Sequence, residues 1–334
     1  MTVISGALGL TGEQVDGLLT TAGRAPSLHN SQPWRFRLTP QAIELHSDPE
    51  RRVPVADPDD RELRIACGAA LFNLRLALRR LGVRPLVTIL PDRERPTLLA
   101  VVRAGGAKPA TPEQMRLLRA VPLRRTNRQP FTDDPVSTLQ QYALRRAAQE
   151  EGCWLHLLAE PPQRTALQRI AKSAHVAQMS DPLFRAELER WTTQSPSPTS
   201  GVPATAAGPL PEPQDRWVLR DYSGVNGHRR VPGKDFEPEP LIAVLSAHLT
   251  GPDAEIQAGQ AMQRVLLTAT AEGLATSFLS HIVEVPYARE ELRRLIRGTR
   301  PPQVVLRIGH GWPVPATPRR LTADLLEPGV TGYL

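Results

Sequence analysis

Lysine is almost missing from this chain. Only Lys108, Lys172 and Lys234 occur in 334 residues, although lysine and arginine together number 41. The net charge of +7 is therefore carried by arginine. Arginine is a planar fork that grips carboxylate or phosphate bidentately, whereas lysine is a point charge. A basic balance of this kind suits an acidic ligand or simply a basic surface. Nucleic acid is not indicated, because no basic run interleaves with stacking aromatics. Aromatics make up only 4%, so Leu, Val and Ala must fill the core that 40% apolar residues allow.

Cysteine is equally thin. Cys67 and Cys153 are the only two. They suggest no disulfide framework and fit a reducing cytoplasm. No run approaches the roughly 18 apolar residues of a membrane-spanning helix. The opening "MTVISGALGLTGEQ" has no basic region and too short an apolar run for a signal peptide. The eight histidines show no metal-ligand spacing with each other or with the cysteines. There is no G-x-G-x-x-G, no P-loop and no G-x-S-x-G. Nor is there a Ser/His/Asp or paired-carboxylate pattern for nucleophilic or acid–base work.

What the chain does have is a repeat. "CGAALFNLRLALRRLGVRPLV", from Cys67, matches "AGQAMQRVLLTATAEGLATSF", from Ala258. Gly68 and Gly259 open the two helical patterns, and Gly82 and Gly273 sit at the expected C-caps. Leu71 aligns with Met262, Leu74 with Val265, Ala77 with Thr268 and Leu78 with Ala269. That spacing marks one buried face in each. A β-prone run follows in both, "PLVTIL" and "ATSFLS". "TGEQVDGLLTTAGRA" and "VSTLQQYALRRAAQEEG" read as amphipathic helices with polar N-caps. "WRFRL" and "AIELHS" correspond to "CWLHLL" as strand material. "TLLAVVRAGG" corresponds to "PQVVLRIGHG" as a closing strand. The expectation is an α+β fold of two halves, 1–110 and 111–334.

Two features belong to the second half alone. One is an insertion at about 178–240 with a Pro-, Gly- and Ser-rich centre, read as a lid or a linker. Phe184, Leu188, Trp191, Trp217, Val218 and Leu219 flank it as anchors for a lid. The other is "RRTNRQPF", from Arg124. Taken alone it is either a solvated basic turn or an anion site. In extended backbone Arg124, Thr126 and Arg128 project to one side, and Arg125 points away toward an ion pair.

The stretch "APSLHNSQPWRF", Ala25 to Phe36, resembles the P-S-x-x-N-x-Q-P-W signature of FMN-dependent nitroreductases through Pro26, Ser27, Asn30, Gln32, Pro33 and Trp34. "RRTNR" resembles that family's phosphate motif, with Thr126 in place of serine. "GLATSF" resembles its turn beside the flavin. "VLRIGHG…TPRR" resembles its closing strand and the basic residues beyond. "RVPVADPDDRELRIACGAALFNLRLALRRLG" is similar to the Acg-like, or twin, subgroup, in which one chain carries two nitroreductase-like halves. The resemblance spans about residues 10–326.

This resemblance implies a nitroreductase-like fold, internally duplicated so that one chain mimics the family's dimer. It implies one composite FMN site per chain, because only the first half has the P-S-x-x-N loop and only the second has the arginines. Arg124, Thr126, Arg128, Arg319 and Arg320 would hold the phosphate. Ser27, Leu28 and His29 would meet the flavin's uracil-like edge, with Asn30 and Gln32 bracing their loop and Trp34 beneath it. His29 reads either as catalytic or as merely packed. Gly273, Leu274, Ala275 and Thr276 would place backbone donors near flavin N5. Tyr222 and His228 read as pocket residues or as ordinary loop residues. Because the flavin carries the hydride chemistry, no protein nucleophile or obligatory base is expected. NADH or NADPH would be the electron donor, and a small electron-poor acceptor such as a nitroaromatic or quinone would be the substrate. The alternative is an FMN-storage protein whose lid excludes acceptors. A monomer suffices for either.

Overall fold

Two capping boxes start two corresponding helices. In α1 (Gly12–Ala22) Thr11 accepts from the Gln14 N–H while Gln14 reaches back to Thr11. Ser137 and Gln140 do the same for α4 (Thr138–Gln149). Each box satisfies two amide groups that a helix start leaves without partners. The computed structural model describes residues 4–192, 199–209, 217, 222 and 239–327.

The first half continues with β1 (Trp34–Thr39), β2 (Ala42–Ser47), α2 (Arg61–Arg80), β3 (Val83–Ile89) and β4 (Leu98–Ala107). The second has α3 (Pro112–Ala120), α4, β5 (Cys153–Leu158), α5 (Pro161–Ser180), α6 (Pro182–Arg190), β6 (Leu241–Ala247), α7 (Pro252–Ala271), β7 (Ala275–Phe278), α8 (His281–Glu284), α9 (Pro286–Leu295) and β8 (Pro302–Gly309). The sheets run β1-β2-β4-β3 and β5-β6-β8-β7, antiparallel throughout. Their orders correspond strand for strand. Even the register break recurs, at Leu45/His46 in one and Leu245/Ser246 in the other.

The central helices cross at their glycines. Gly68 and Gly259 do not open helices as the sequence suggests; α2 and α7 each begin about two turns earlier. A Cβ on Gly68 would lie 2.1 Å from the Ile256 carbonyl oxygen, and one on Gly259 would lie 2.0 Å from the Ile65 oxygen. The contact is reciprocal, as across a two-fold axis. Gly82 and Gly273 do follow the helix ends, with φ of +79° and +75°. The paired positions Leu71/Met262, Leu74/Val265, Ala77/Thr268 and Leu78/Ala269 are all buried. One apolar core runs through both halves, joining Leu18, Trp34 and Ile65 to Leu245, Ile256 and Leu306.

The insertion is longer than the sequence suggests. Pro40 and Gln41 suffice to connect β1 to β2, but residues 159–240 connect β5 to β6. Its first element is α5, which precedes the Pro-, Gly- and Ser-rich centre. Phe184, Leu188 and Trp191 pack with Val202, Ala206 and Tyr222 onto Val53 and Ala56 of the first half. Glu187, on α6, accepts from the amides of Val55 and Ala56 at 3.0 and 2.9 Å. These described parts are folded against the first half rather than strung out as a linker. Trp217 packs elsewhere, with α5 and α8. Val218, Leu219 and His228 lie outside the described residues.

Candidate functional site

"RRTNR" is fixed from two sides. The Asn127 amide donates to the Thr276 carbonyl at 2.8 Å, and Thr126 sits opposite Thr276 in a parallel bridge. Arg307, on β8, donates to the carbonyls of Asn127 and Gln129 at 3.0 Å each and lies 4.1 Å from the Phe131 ring.

The segment thereby holds Arg124 in the interior. It is 4% exposed, and its Nε and Nη1 have no hydrogen-bond partner among the described residues. Burial, with Arg319, Arg125 and Arg128 nearby, lowers its pKa to about 9. Burial, with Arg125 and Arg24 nearby, lowers Arg319 to about 10. Among the described residues no carboxylate offsets either guanidinium. Buried charge without a partner is costly, so this cluster is electrostatically suited to negative charge. Arg125 makes no ion pair among the described residues. Its Nη1 donates to the carbonyls of Pro122 and Arg124 at 2.8 and 2.9 Å.

Of the neighbouring pair Arg319 and Arg320, only the first faces the cluster. Arg320 turns into the first half, donating to the carbonyls of Gln32 and Trp34 at 3.1 and 3.0 Å and pairing with Asp48 at 3.4 Å. It braces the fold and does not join the arginine cluster. Neighbours in extended chain point to opposite sides, which is why one is taken and the other is not.

Arg319 also joins the two halves. Its Nη1 donates to Asn30 Oδ1 at 2.7 Å. Asn30 Nδ2 in turn donates to the carbonyls of Gly201 and Pro318 at 2.9 and 3.0 Å. Gln32 Nε2 donates to the Thr199 carbonyl at 2.7 Å, while Oε1 accepts from the Arg320 amide at 2.9 Å. Ser27 Oγ accepts from the Gln32 amide at 2.8 Å. Trp34 is fully buried below. The loop needs this bracing, because His29, Asn30 and Gln32 hold φ of +51°, +56° and +53°. Left-handed non-glycine backbone persists only where its surroundings over-determine it. Gln32→Ala strands a buried amide and a buried carbonyl. We expect a loss of about 1–3 kcal/mol in urea unfolding.

The loop and "RRTNR" meet across one cleft. Ser27, Leu28 and His29 line it from the first half, and Thr126, Arg128, Ser277, Phe278 and Ser280 from the second. Glu62, Ile65 and Ala66 on α2, with Met262 on α7, complete the floor. The space between these residues, open solvent at its mouth included, is about 660 Å³. Arg128 lies 4.4 Å from the Tyr222 ring and donates to the Ala206 carbonyl at 2.8 Å. His29 meets the same ring edge-on at 5.8 Å. Tyr222 is thus a pocket residue, and the insertion covers this part of the cleft.

No protein-family model matches the chain. A Mycobacterium tuberculosis protein named "Putative NAD(P)H nitroreductase Rv3131" is 33% identical over 322 residues, covering 94% of this chain and 91% of the relative. Another from that organism, "Putative NAD(P)H nitroreductase acg", is 30% identical over 315 residues, covering 93% of this chain and 94% of the relative. The chain belongs to the Acg-like nitroreductases. Solved structures are more distant from this nitroreductase. An FMN-bound nitroreductase from Desulfitobacterium hafniense has a TM-score of 0.39 at 13% identity, covering 63% of this chain and 95% of that one. Bacillus megaterium NfrA2 has a TM-score of 0.39 at 14% identity, covering 66% and 75%.

In this nitroreductase the turn Gly273–Thr276 does not line the cleft; Ser277, Phe278 and Ser280 do. The chain rises out of the helix cap at Gly273 and reaches the cleft only after passing Thr126. Sequence reading also passed over the floor. Glu62, Ile65 and Ala66 are given no role by the sequence motifs. The spacing of 62, 65 and 66 on one face of α2 was the available signal. Neither thiol of this nitroreductase is a nucleophile. Both cysteines are buried and free, and burial pushes the Cys153 thiol up to about 12.

Proposed function

We propose that this nitroreductase binds one FMN per chain, with the phosphate at Arg124 and Arg319 and the ring in the cleft beyond Thr126 and Arg128. The observation that carries this is Arg124, a buried guanidinium with unsatisfied donors among like charges and beside the P-S-x-x-N loop. A phosphate dianion supplies the acceptors and the charge that the cluster lacks. The relatives' names support NAD(P)H as the electron donor. When bound, FMN supplies the hydride chemistry, and the protein supplies position and electrostatics. Ser27 to His29 hold one side of the cleft at a fixed distance from Thr126. Arg128 and Tyr222 close it against water. The acceptor is a small electron-poor molecule, a nitroaromatic or a quinone. Because both halves of the site lie in one chain, a cytoplasmic monomer is sufficient.

The test is a titration of ligand-free protein with FMN and with riboflavin, which lacks the phosphate. FMN should bind at about one per chain and more than tenfold more tightly. Equal affinities would remove the phosphate assignment. Arg128→Ala should weaken FMN by about 1.5–3 kcal/mol through loss of a charge-assisted contact. A second reading, FMN storage, draws on the insertion that covers the cleft through Tyr222 and Ala206. NAD(P)H should bleach the yellow protein, and an added quinone should restore its colour. Protein that stays yellow under NAD(P)H would favour storage.

A further inference from the structure

Glu62 is the one carboxylic acid among the described residues that line the cleft. It sits in the first turn of α2, where Asp57 accepts its amide at 3.0 Å and that of Leu63 at 2.9 Å. The side chain is only 13% exposed. The groups around it are few and named. Arg61 of the same turn pairs with it and is itself held by the Gln303 carbonyl at 2.7 Å. Glu284, at the end of α8, and Asp57 add negative charge. Arg289, on α9, is close enough to feel both Arg61 and Glu62. Gln178, on α5, donates to Glu284 Oε2 at 2.6 Å. Glu284 and Asp57 thus oppose ionisation of Glu62 while Arg61 favours it, in a site that water barely reaches.

We propose that the Glu62 carboxyl is the proton donor to the acceptor reduced in this cleft. The inference rests on the FMN reading above. Two-electron reduction of a quinone needs one hydride and one proton. When bound, FMN would supply the hydride, with NAD(P)H as its source. The proton leaves the Glu62 O–H for the quinone oxygen as the new O–H bond forms. Glu62 is left as a carboxylate beside Arg61 and regains its proton from solvent. Burial raises the Glu62 pKa to about 7, with Glu284 and Asp57 adding to the rise and Arg61 opposing it. A donor poised there is protonated and still willing to release.

The sign can be read without turnover. A carboxyl whose folded pKa is raised stabilises the fold fully below its unfolded value. That contribution is lost as pH climbs through about 7. Glu62→Gln keeps a hydrogen-bond acceptor for Arg61 and removes the titration. In ligand-free protein, its melting temperature should gain on the wild type by several degrees between pH 5 and pH 8. An infrared band of a protonated carboxyl should fade over the same interval in the wild type and be missing from the variant. In FMN-loaded protein, quinone turnover should fall roughly 100-fold or more in Glu62→Gln, with a flat pH profile. Glu62→Asp should recover part of the rate with a shifted profile. FMN-loaded Glu62→Gln that keeps both the rate and the profile would overturn the proton role alone. Wild-type protein that takes up no FMN would bring down the cofactor reading and the proton role together.

Discussion

Arg124→Met should make the ligand-free protein more stable and its FMN complex far weaker. The guanidinium is 4% exposed, and its pKa has fallen from 12.5 to about 9, so the folded ligand-free state strains to hold the charge. Each pKa unit corresponds to about 1.4 kcal/mol, which makes about 5 kcal/mol a ceiling on that strain. Replacing buried charged groups by apolar ones of similar volume often stabilises by about 1–4 kcal/mol. Urea unfolding of ligand-free protein should show a gain in that range. The FMN complex should lose about 3–5 kcal/mol, the scale of breaking a buried charge pair, or roughly 10²- to 10⁴-fold in affinity. A variant that loses stability without ligand would mean that Arg124 is a structural brace and that the anion sits elsewhere. In the wild type, FMN affinity should also decline as pH rises past about 9, where ligand-free Arg124 begins to give up its proton.

The helix crossing should be the least forgiving place in the core. Gly68→Ala and Gly259→Ala each add a carbon 2.0–2.1 Å from a carbonyl oxygen of the facing helix. Helix propensity favours alanine by about 1 kcal/mol. Overpacking costs about 1–3 kcal/mol, and more where rigid backbone is what must yield. The net should be a loss of about 2 kcal/mol or more for alanine and larger for valine, seen as a lower urea midpoint. The double variant should lose less than the sum, because one substitution already separates the helices. Gly17→Ala is the control. Gly17 is an exposed position within α1 where a Cβ meets nothing within 4 Å, and it should gain about 0.5–1 kcal/mol.

The same glycines show what sequence makes legible and what it does not. They stand at matched places in two similar sequence stretches, and the two helices that carry them cross there. Their reason was not readable: a glycine needed for close approach looks in sequence like a glycine near a helix start. Asp60, the residue before α2, makes no side-chain cap bond and so gave no boundary. Thr11 with Gln14 and Ser137 with Gln140 carry the capping pattern openly, and those helices start where expected. β6 was not matched to "AIELHS", because the long insertion separates it from β5. At the site, Asn30 meets Arg319 and Thr126 meets Thr276, pairings that no motif specifies. Arg319 and Arg320 could not be ranked, since sequence does not say which of two neighbours faces inward. Glu62 escaped notice because its chemistry comes from burial beside Glu284, a residue far away in the chain.

The pairing of α2 with α7 also bears on how the protein is made. Asn73 on α2 receives its buried hydrogen bond from Gln263 on α7, 190 residues later in the chain. At about 5–20 residues per second, a ribosome takes roughly 10–40 s to deliver the partner. Through that interval α2, buried on nearly every face in the finished fold, has one flank with nothing to cover it. Exposed apolar helix on a nascent chain is what holdase chaperones recognise, and what self-associates when they are scarce. Yield in a recombinant host should therefore depend on translation rate and chaperone supply more than on the stability of the folded product.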